Sequence, residues 1–370
     1  MFVFVCWTPY QIFNAINFVM NDVEHSKGNA DIYIYHEFGG AAPISSKLRE
    51  MNVFCHVYDV DCYDPKRVWY SKFNKLKRLL CPYATIKKYL RSDIDVRKQG
   101  YETLVISGNN LFSVNLYNAI PGMKVYFIDD GIGSYFGDMR AQDMTLIYRL
   151  GNKLLKRGPL SYDIRKIYVN NKTICKTTIS DCIEQLPALH SDSPVIQMLE
   201  KVFEYKDNTN YSTHKIIYLS QPYVEVEEYI AGAEMRVLEE VMLSVYSKNE
   251  ILLRLHPRQN MEEFPGWNLD IHRNLWELEC VRQIRDESVL VGGFSTSQFM
   301  SKILVNKEPY VIFLYKLFYP SEYTEQFDSV IESFRNLYAC PERIQVPDTV
   351  DELKILLNRI HENVSEGDKQ

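Results

Sequence analysis

The chain has 370 residues, too many for one ordinary hydrophobic core, so two domains are expected. Its hydrophobic content of 46% is that of a globular protein, and its net charge of −6 argues against a nucleic-acid binder, which would carry a broad basic face. Eight cysteines are scattered without a CxxC pair, the usage of a reduced, cytoplasmic protein.

The opening Met1–Cys6 is apolar but short, follows no basic segment and soon meets Pro9 and Gln11. It predicts a first strand over Phe2–Cys6 rather than a signal peptide. Pro9–Met20 reads as a helix, with proline near its first turn and Ile12, Ile16 and Phe18 apolar. Asp31–Tyr35 predicts a strand, Ser45–Met51 a short helix and Val53–Tyr58 another strand. Leu104–Ser107 is strand-like, Leu111–Ala119 helical and Lys124–Ile128 strand-like again. Strands that alternate with helices predict a mostly parallel sheet.

From about Tyr135 to Asn210 the pattern is less regular and carries basic residues, among them Arg140, Arg149 and Arg165. The alternation then restarts. Lys215–Leu219, Ile251–Leu255, Ser288–Val291 and Tyr310–Leu314 read as strands. Val224–Tyr246 reads as one long helix, with further helices over Leu275–Ile284, Ser297–Leu304 and Val350–Ile360. The expected fold class is α/β, with two Rossmann-like domains facing a cleft. Residues 1–205 form the first domain, containing the basic irregular insertion, and residues 206–370 form the second. No stretch has the length of a membrane span.

Polar groups stand at many strand ends, where open α/β sheets bind ligands. Lys124–Ile128 runs into Asp129-Asp130-Gly131. Neighbouring side chains diverge, so one carboxylate can face a ligand while the other holds the loop, and Gly131 permits a tight turn. The pair reads either as a general base for an acceptor hydroxyl or as an Asx turn with a helix cap. Ile251–Leu255 runs into His256-Pro257-Arg258. Pro257 biases His256 to extended backbone. The histidine reads as a phosphate ligand or proton donor, or as a structural side chain, and Arg254 or Arg258 could add positive charge.

Gly292-Gly-Phe-Ser-Thr-Ser297 joins a strand, a glycine turn, hydroxyls and a helix. It reads as a phosphate site or as a plain N-cap by Ser295 or Ser297. There is no P-loop lysine spacing, no GxGxxG after the first strand, no HExxH and no clustered His/Cys. These absences disfavour ATP hydrolysis, dinucleotide chemistry and a metal site.

In this order, Asp129-Asp-Gly131, His256-Pro-Arg-Gln259 and Phe294-Ser-Thr-Ser297 resemble the motifs of the bacterial sialyltransferases of glycosyltransferase family 52. These are the lipooligosaccharide and capsule enzymes, and they share the motifs with bacterial polysialyltransferases. Cys6-Trp-Thr-Pro-Tyr-Gln11 resembles the family's first strand and loop, and Ser220-Gln221-Pro222 the loop that begins its second domain. The intervening sequence matches weakly.

The resemblance implies a fold of the glycosyltransferase-B type, a CMP-sialic acid donor, inversion at the anomeric carbon and no metal or other cofactor. It implies that Asp130 or Asp129 is the base and His256 the acid. It also implies that Ser295, Thr296 and Ser297 hold phosphate and that Glu277 meets the ribose. Gly131, Gln221, Pro257, Arg258 and Phe294 belong to the same donor-side motifs. Some family members carry a key carboxylate just after the loop matched by Ser220-Gln-Pro222; here Tyr223 stands there, which makes Glu225 a rival base. The implied acceptor is an oligosaccharide or lipid-linked glycan, and some family members are homodimers. The basic, aromatic stretch Lys66–Arg91 reads as a contact for the inner membrane surface or as a solvated helix face. The alternatives are a related transferase using another nucleotide sugar and a non-catalytic glycan-binding protein on the same fold.

Overall fold

The computed structural model describes residues 1–61, 80–108, 110–131, 133–136, 154, 160–176, 182–207, 210–223 and 228–367. The chain forms two compact units, Met1–Glu204 and Tyr205–Gln370.

The first unit is built on a parallel sheet of seven strands in the order β3-β2-β1-β4-β5-β6-β7. They are β1 (Phe2–Cys6), β2 (Ala30–Tyr35), β3 (Val57–Val60), β4 (Thr103–Ile106), β5 (Lys124–Ile128), β6 (Ile164–Val169) and β7 (Ile183–Gln185). Every residue of β1 and β2 is buried, as expected of central parallel strands covered on both faces. Helix α1 (Pro9–Met20) follows β1. Thr8 caps it by accepting from the Gln11 N–H at 3.3 Å, and Pro9 occupies its first turn. Helices α2 (Ala41–Met51), α3 (Pro82–Tyr89), α4 (Leu111–Ala119) and α5 (Pro194–Val202) complete the longer helical segments named here.

The second unit carries a parallel sheet of five strands in the order β12-β11-β10-β8-β9. They are β8 (Ile216–Leu219), β9 (Ile251–Arg254), β10 (Val289–Gly292), β11 (Tyr310–Phe313) and β12 (Ile344–Gln345). Its core gathers Ile216, Tyr218, Leu253, Val291, Ile312 and Phe318. Around the sheet lie α6 (Ala233–Arg236), α7 (Trp276–Arg282), α8 (Met300–Val305), α9 (Glu325–Arg335) and α10 (Val350–Gly367).

In each sheet the winding reverses beside the strand that opens the unit. The reversal falls between β1 and β4 in the first sheet and between β8 and β10 in the second. Such switch points leave a crevice outside the carboxyl ends of the strands.

Three expectations need correction. The strand expected over Val53–Tyr58 is Val57–Val60, because residues before it turn to bring the Cys55 N–H onto Ala30 O at 2.8 Å. In place of the single helix expected over Val224–Tyr246, the described residues 228–232 are not helical; α6 begins at Ala233, after Gly232 at φ 73°, and the chain then loosens into a π turn over Val237–Val241. Residues 224–227, Glu225 among them, lie outside the described residues. The irregular stretch contains β6, β7 and α5. Its strand β6 was obscured by Arg165 and Lys166, which project from an otherwise mostly buried strand.

Among the described residues no helix is long and apolar enough to cross a membrane. Residues 62–79, most of the basic aromatic stretch, lie outside the described residues. At its far end Lys87 pairs with Asp93 at 3.0 Å and Arg91 with Asp61 at 2.6 Å. Those two cations therefore have carboxylate partners within the protein.

Candidate active site

The two carboxylates after β5 have different surroundings. Asp129 is fully buried. Its Oδ1 accepts from the Gly131 N–H at 2.8 Å. Its Oδ2 accepts from the Tyr135 hydroxyl and from the Asn170 backbone and side-chain N–H groups at 3.0 and 3.1 Å. Its backbone carbonyl accepts from Asn14 Nδ2 at 3.0 Å. Burial pushes its pKa up, and these donors pull it back. Gly131 has φ 92°, a left-handed conformation that lets its N–H turn back onto the Asp129 carboxylate. Asp129 thus ties the β5 loop to the middle of α1 and to the end of β6.

Asp130 keeps access to solvent. Its N–H donates to Ser134 Oγ at 2.7 Å, and its Oδ1 accepts from Gln11 Nε2 at 2.9 Å. Gln11 is fully buried and is itself fixed, since its Oε1 accepts from the Trp7 N–H at 2.7 Å. Protein packed around the Asp130 carboxyl displaces enough water to push its pKa up to about 7; Gln11 opposes the rise and the Asp129 charge adds to it. An accessible carboxyl with a pKa near neutrality, held in one orientation, has the properties of a general base.

In the second unit His256 follows β9 and is half-buried. Its Nδ1 accepts from the Arg258 N–H at 3.2 Å. A neutral imidazole whose Nδ1 accepts carries its proton on Nε2, so the tautomer follows from this bond. The His256 N–H donates to Gln259 Oε1 at 2.9 Å, and the Gln259 N–H returns to His256 O at 2.9 Å. Gln259 Nε2 in turn reaches Ser220 Oγ at 2.8 Å and Gln221 O at 3.0 Å. The β8 and β9 loops are therefore clasped by one buried amide. Pro257 and Arg258 are exposed.

The arginines that bracket His256 separate cleanly. Arg254 is committed to a buried cluster, donating to Tyr211 Oη and Asp270 Oδ2, each at 2.7 Å, and to Asn274 O at 2.5 Å. The sequence left either arginine open as a phosphate partner; the structure uses Arg254 for packing. Arg258 instead lines a cavity of about 240 Å³ together with Gln221, Tyr223, Glu234 and Gln259.

The Gly292–Ser297 segment has a steric explanation. A Cβ on Gly292 would lie 2.8 Å from Leu219 O, and one on Gly293 would lie 2.4 Å from the Tyr223 hydroxyl. That hydroxyl accepts from the Gly293 N–H at 2.9 Å. Ser295 caps the turn that follows. Its N–H donates to Gln298 Oε1 at 3.1 Å, and its Oγ lies 2.7 Å from Ser297 Oγ and accepts from Gln221 Nε2 at 3.3 Å. Several N–H groups expected to meet a phosphate thus have partners within the loop. The Gln221–Ser295 bond bridges the switch point between β8 and β10. Thr296 opens the short helical turn. Phe294 packs on Phe327 with ring centroids 4.3 Å apart. Glu277 is buried in the first turn of α7, and the preceding Trp276 donates from Nε1 to Ser297 O at 2.7 Å.

Reading the sequence missed Gln11 as the partner of Asp130, Asn170 as a clamp on Asp129, and Glu234 altogether. Gln11 was visible only as part of the motif after β1. Asn170 had no signal, because it follows the strand that went unrecognised. Among the described residues no group of three or more His, Cys, Asp or Glu side chains could hold a metal ion.

No protein-family model matches the sequence. A comparison with curated proteins gives no significant match. Solved structures do resemble it. A chain from Listeria monocytogenes, provisionally described as a UDP-N-acetylglucosamine 2-epimerase, matches with a TM-score of 0.52 at 9% identity, over 100% of this chain and 89% of the other. The UDP-GlcNAc 2-epimerase of Neisseria meningitidis bound to UDP-GlcNAc matches with a TM-score of 0.50 at 11% identity, over 100% and 93%. The GT-B domain of a sialyltransferase from Photobacterium damselae gives 0.49 at 11% identity, over 94% and 100%. At these identities likeness establishes architecture alone: two parallel-sheet α/β units of the glycosyltransferase-B type.

Proposed function

We propose that the protein is an inverting glycosyltransferase that moves sialic acid from CMP-sialic acid to a hydroxyl of a bacterial surface glycan. The observation that carries this reading is Asp130, an accessible carboxyl held in one orientation by Gln11 beside a second, buried aspartate whose oxygens are taken up by the loop. Asp130 takes the proton of the acceptor hydroxyl, and the oxygen attacks the anomeric carbon of the donor. The bond to the CMP phosphate breaks with its electrons staying on that phosphate. His256, carrying its proton on Nε2, donates a hydrogen bond to the departing phosphate oxygen and stabilises the charge left on it. Arg258 adds positive charge on the donor side, with Ser295, Thr296 and Ser297 supplying hydroxyls. Glu277 is assigned to the ribose.

A monophosphate leaving group needs less charge compensation than a diphosphate, so this scheme calls on no metal. The choice of CMP rests on the motifs shared with family 52. The competing donor is a UDP-sugar, as in the Neisseria protein bound to UDP-GlcNAc. Thermal denaturation with CMP, UDP or GDP tests the choice, because a ligand that binds only the folded chain raises its melting temperature. Stabilisation by CMP above the other two is expected. Stabilisation by UDP or GDP alone would replace the donor assignment.

A further inference from the structure

Glu234 lies on α6, 7% exposed, at the wall of the cavity that Arg258 and Gln259 line. Its Oε1 accepts from Ser220 Oγ at 2.6 Å. Ser220 Oγ accepts from Gln259 Nε2 at 2.8 Å, and Gln259 Oε1 accepts from the His256 N–H at 2.9 Å. A continuous hydrogen-bonded chain therefore joins a buried carboxyl group to the backbone of His256. The carboxyl end is itself anchored, since the Glu234 N–H donates to Tyr229 Oη at 2.8 Å. Ser220 and Gln259 are 2% and 7% exposed, so water competes little for these bonds.

We propose that Glu234 is a positioning residue for His256, acting through Ser220 and Gln259 to hold the loop that carries the imidazole. The importance of that loop rests on the function proposed above; the coupling itself does not.

The groups that face the carboxyl are Tyr218 from β8, Tyr223 and Tyr229 from the segment after it, Tyr319 beyond β11, and Glu263 and Arg258 after β9. Burial holds all four tyrosines above their ordinary pKa, so they stay neutral near neutral pH. Glu234 is the carboxyl of the chain. Burial pushes its pKa up to about 7; the Ser220 hydroxyl opposes this, and the Glu263 charge adds to it. A group whose pKa is raised by burial favours opening to water once ionised. Ionisation strengthens the Ser220 bond but costs the buried carboxyl more in lost hydration, so neutral Glu234 keeps the chain closed and ionised Glu234 favours its opening.

Hydrogen exchange of the full-length protein, read on peptides spanning residues 254–260, tests the coupling without any enzymatic assay. Rates are corrected for intrinsic exchange at pH 5.5 and 8.5. Wild-type protection is expected to fall by about five-fold or more between the two. Glu234→Gln mimics the neutral form and is expected to keep the low-pH protection at both. Ser220→Ala cuts the chain in its middle and is expected to be weakly protected at both. The same pH response in wild type and Glu234→Gln would overturn the proposal, as would full protection in Ser220→Ala. If Glu234→Gln fails to fold, Ser220→Ala decides. Failure of the donor assignment would leave these exchange results unchanged, so the two ideas fall separately.

Discussion

Gln11 Nε2 donates to Asp130 Oδ1 at 2.9 Å across 119 residues of sequence. The bond joins the loop after β1 to the loop after β5. It selects one orientation for the carboxyl and favours its ionised form, against the burial that raises its pKa to about 7. The rate of transfer should therefore rise with pH through about 7 as Asp130 ionises. Gln11→Leu removes a contact that stabilises the charge, so this rising limb should move to higher pH. A pH profile of kcat/KM for the two proteins checks the direction.

Asp130→Asn removes the proposed base while keeping the shape. Transfer to an acceptor should fall by about 10²–10⁴-fold. Slow hydrolysis of the donor by water should fall much less, because in the proposed scheme departure of CMP does not use Asp130. Equal losses in the two assays would assign Asp130 a different role.

Asp129→Ala leaves the Gly131 N–H, the Asn170 N–H and the Tyr135 hydroxyl without their acceptor in a buried site. A loss of about 4 kcal/mol is expected. Urea unfolding measures it. A loss within experimental error of zero would show that the loop is held by something else.

Arg254 and Arg258 should differ in their effect on nucleotide binding. Arg254→Met breaks a buried pair with Asp270 and should cost about 3–5 kcal/mol of stability, with nucleotide affinity of the folded protein unchanged. Arg258→Ala should weaken nucleotide binding by about ten-fold. Calorimetric titration with CMP beside urea unfolding separates the two effects.

Gly293→Ala would put a methyl group 2.4 Å from the Tyr223 hydroxyl and should destabilise by about 2–3 kcal/mol. Adding Tyr223→Phe should recover part of the loss, since ring carbons at 2.9 Å still crowd the site. Melting temperatures of the single and double variants test this.

The stability of the second unit should also respond to Glu234. Its folded pKa, about 7, lies above the value of about 4.3 for an unfolded chain, so folding takes up protons. Its contribution is fully present below about pH 4 and is lost as pH rises through 7, on the order of 3 kcal/mol in all. Between pH 5 and 8 wild type should lose more stability than Glu234→Gln. Chemical denaturation at the two pH values gives the comparison.

The elements legible in sequence were those with uninterrupted apolar runs, such as β1, β5 and β10. Strand β6 was not, because Arg165 and Lys166 break its run, and with it went Asn170. The acid pair was visible, but its division of labour was not. Which aspartate is buried depends on Tyr135 and Asn170, and a local motif does not reveal the second of these. The glycine pair at 292–293 reads as a phosphate turn, whereas its packing requirement comes from Leu219 and Tyr223, far away in the chain. Glu234 sits inside what reads as a long amphipathic helix, where a single acidic residue gives no sign of burial.

The most direct test of the central claim is release of CMP from CMP-N-acetylneuraminic acid by the purified protein, with EDTA present, beside UDP- and GDP-sugars. Release from the CMP donor alone, lost in His256→Ala, is the predicted result. Release from a UDP- or GDP-sugar, with none from the CMP donor, would contradict it.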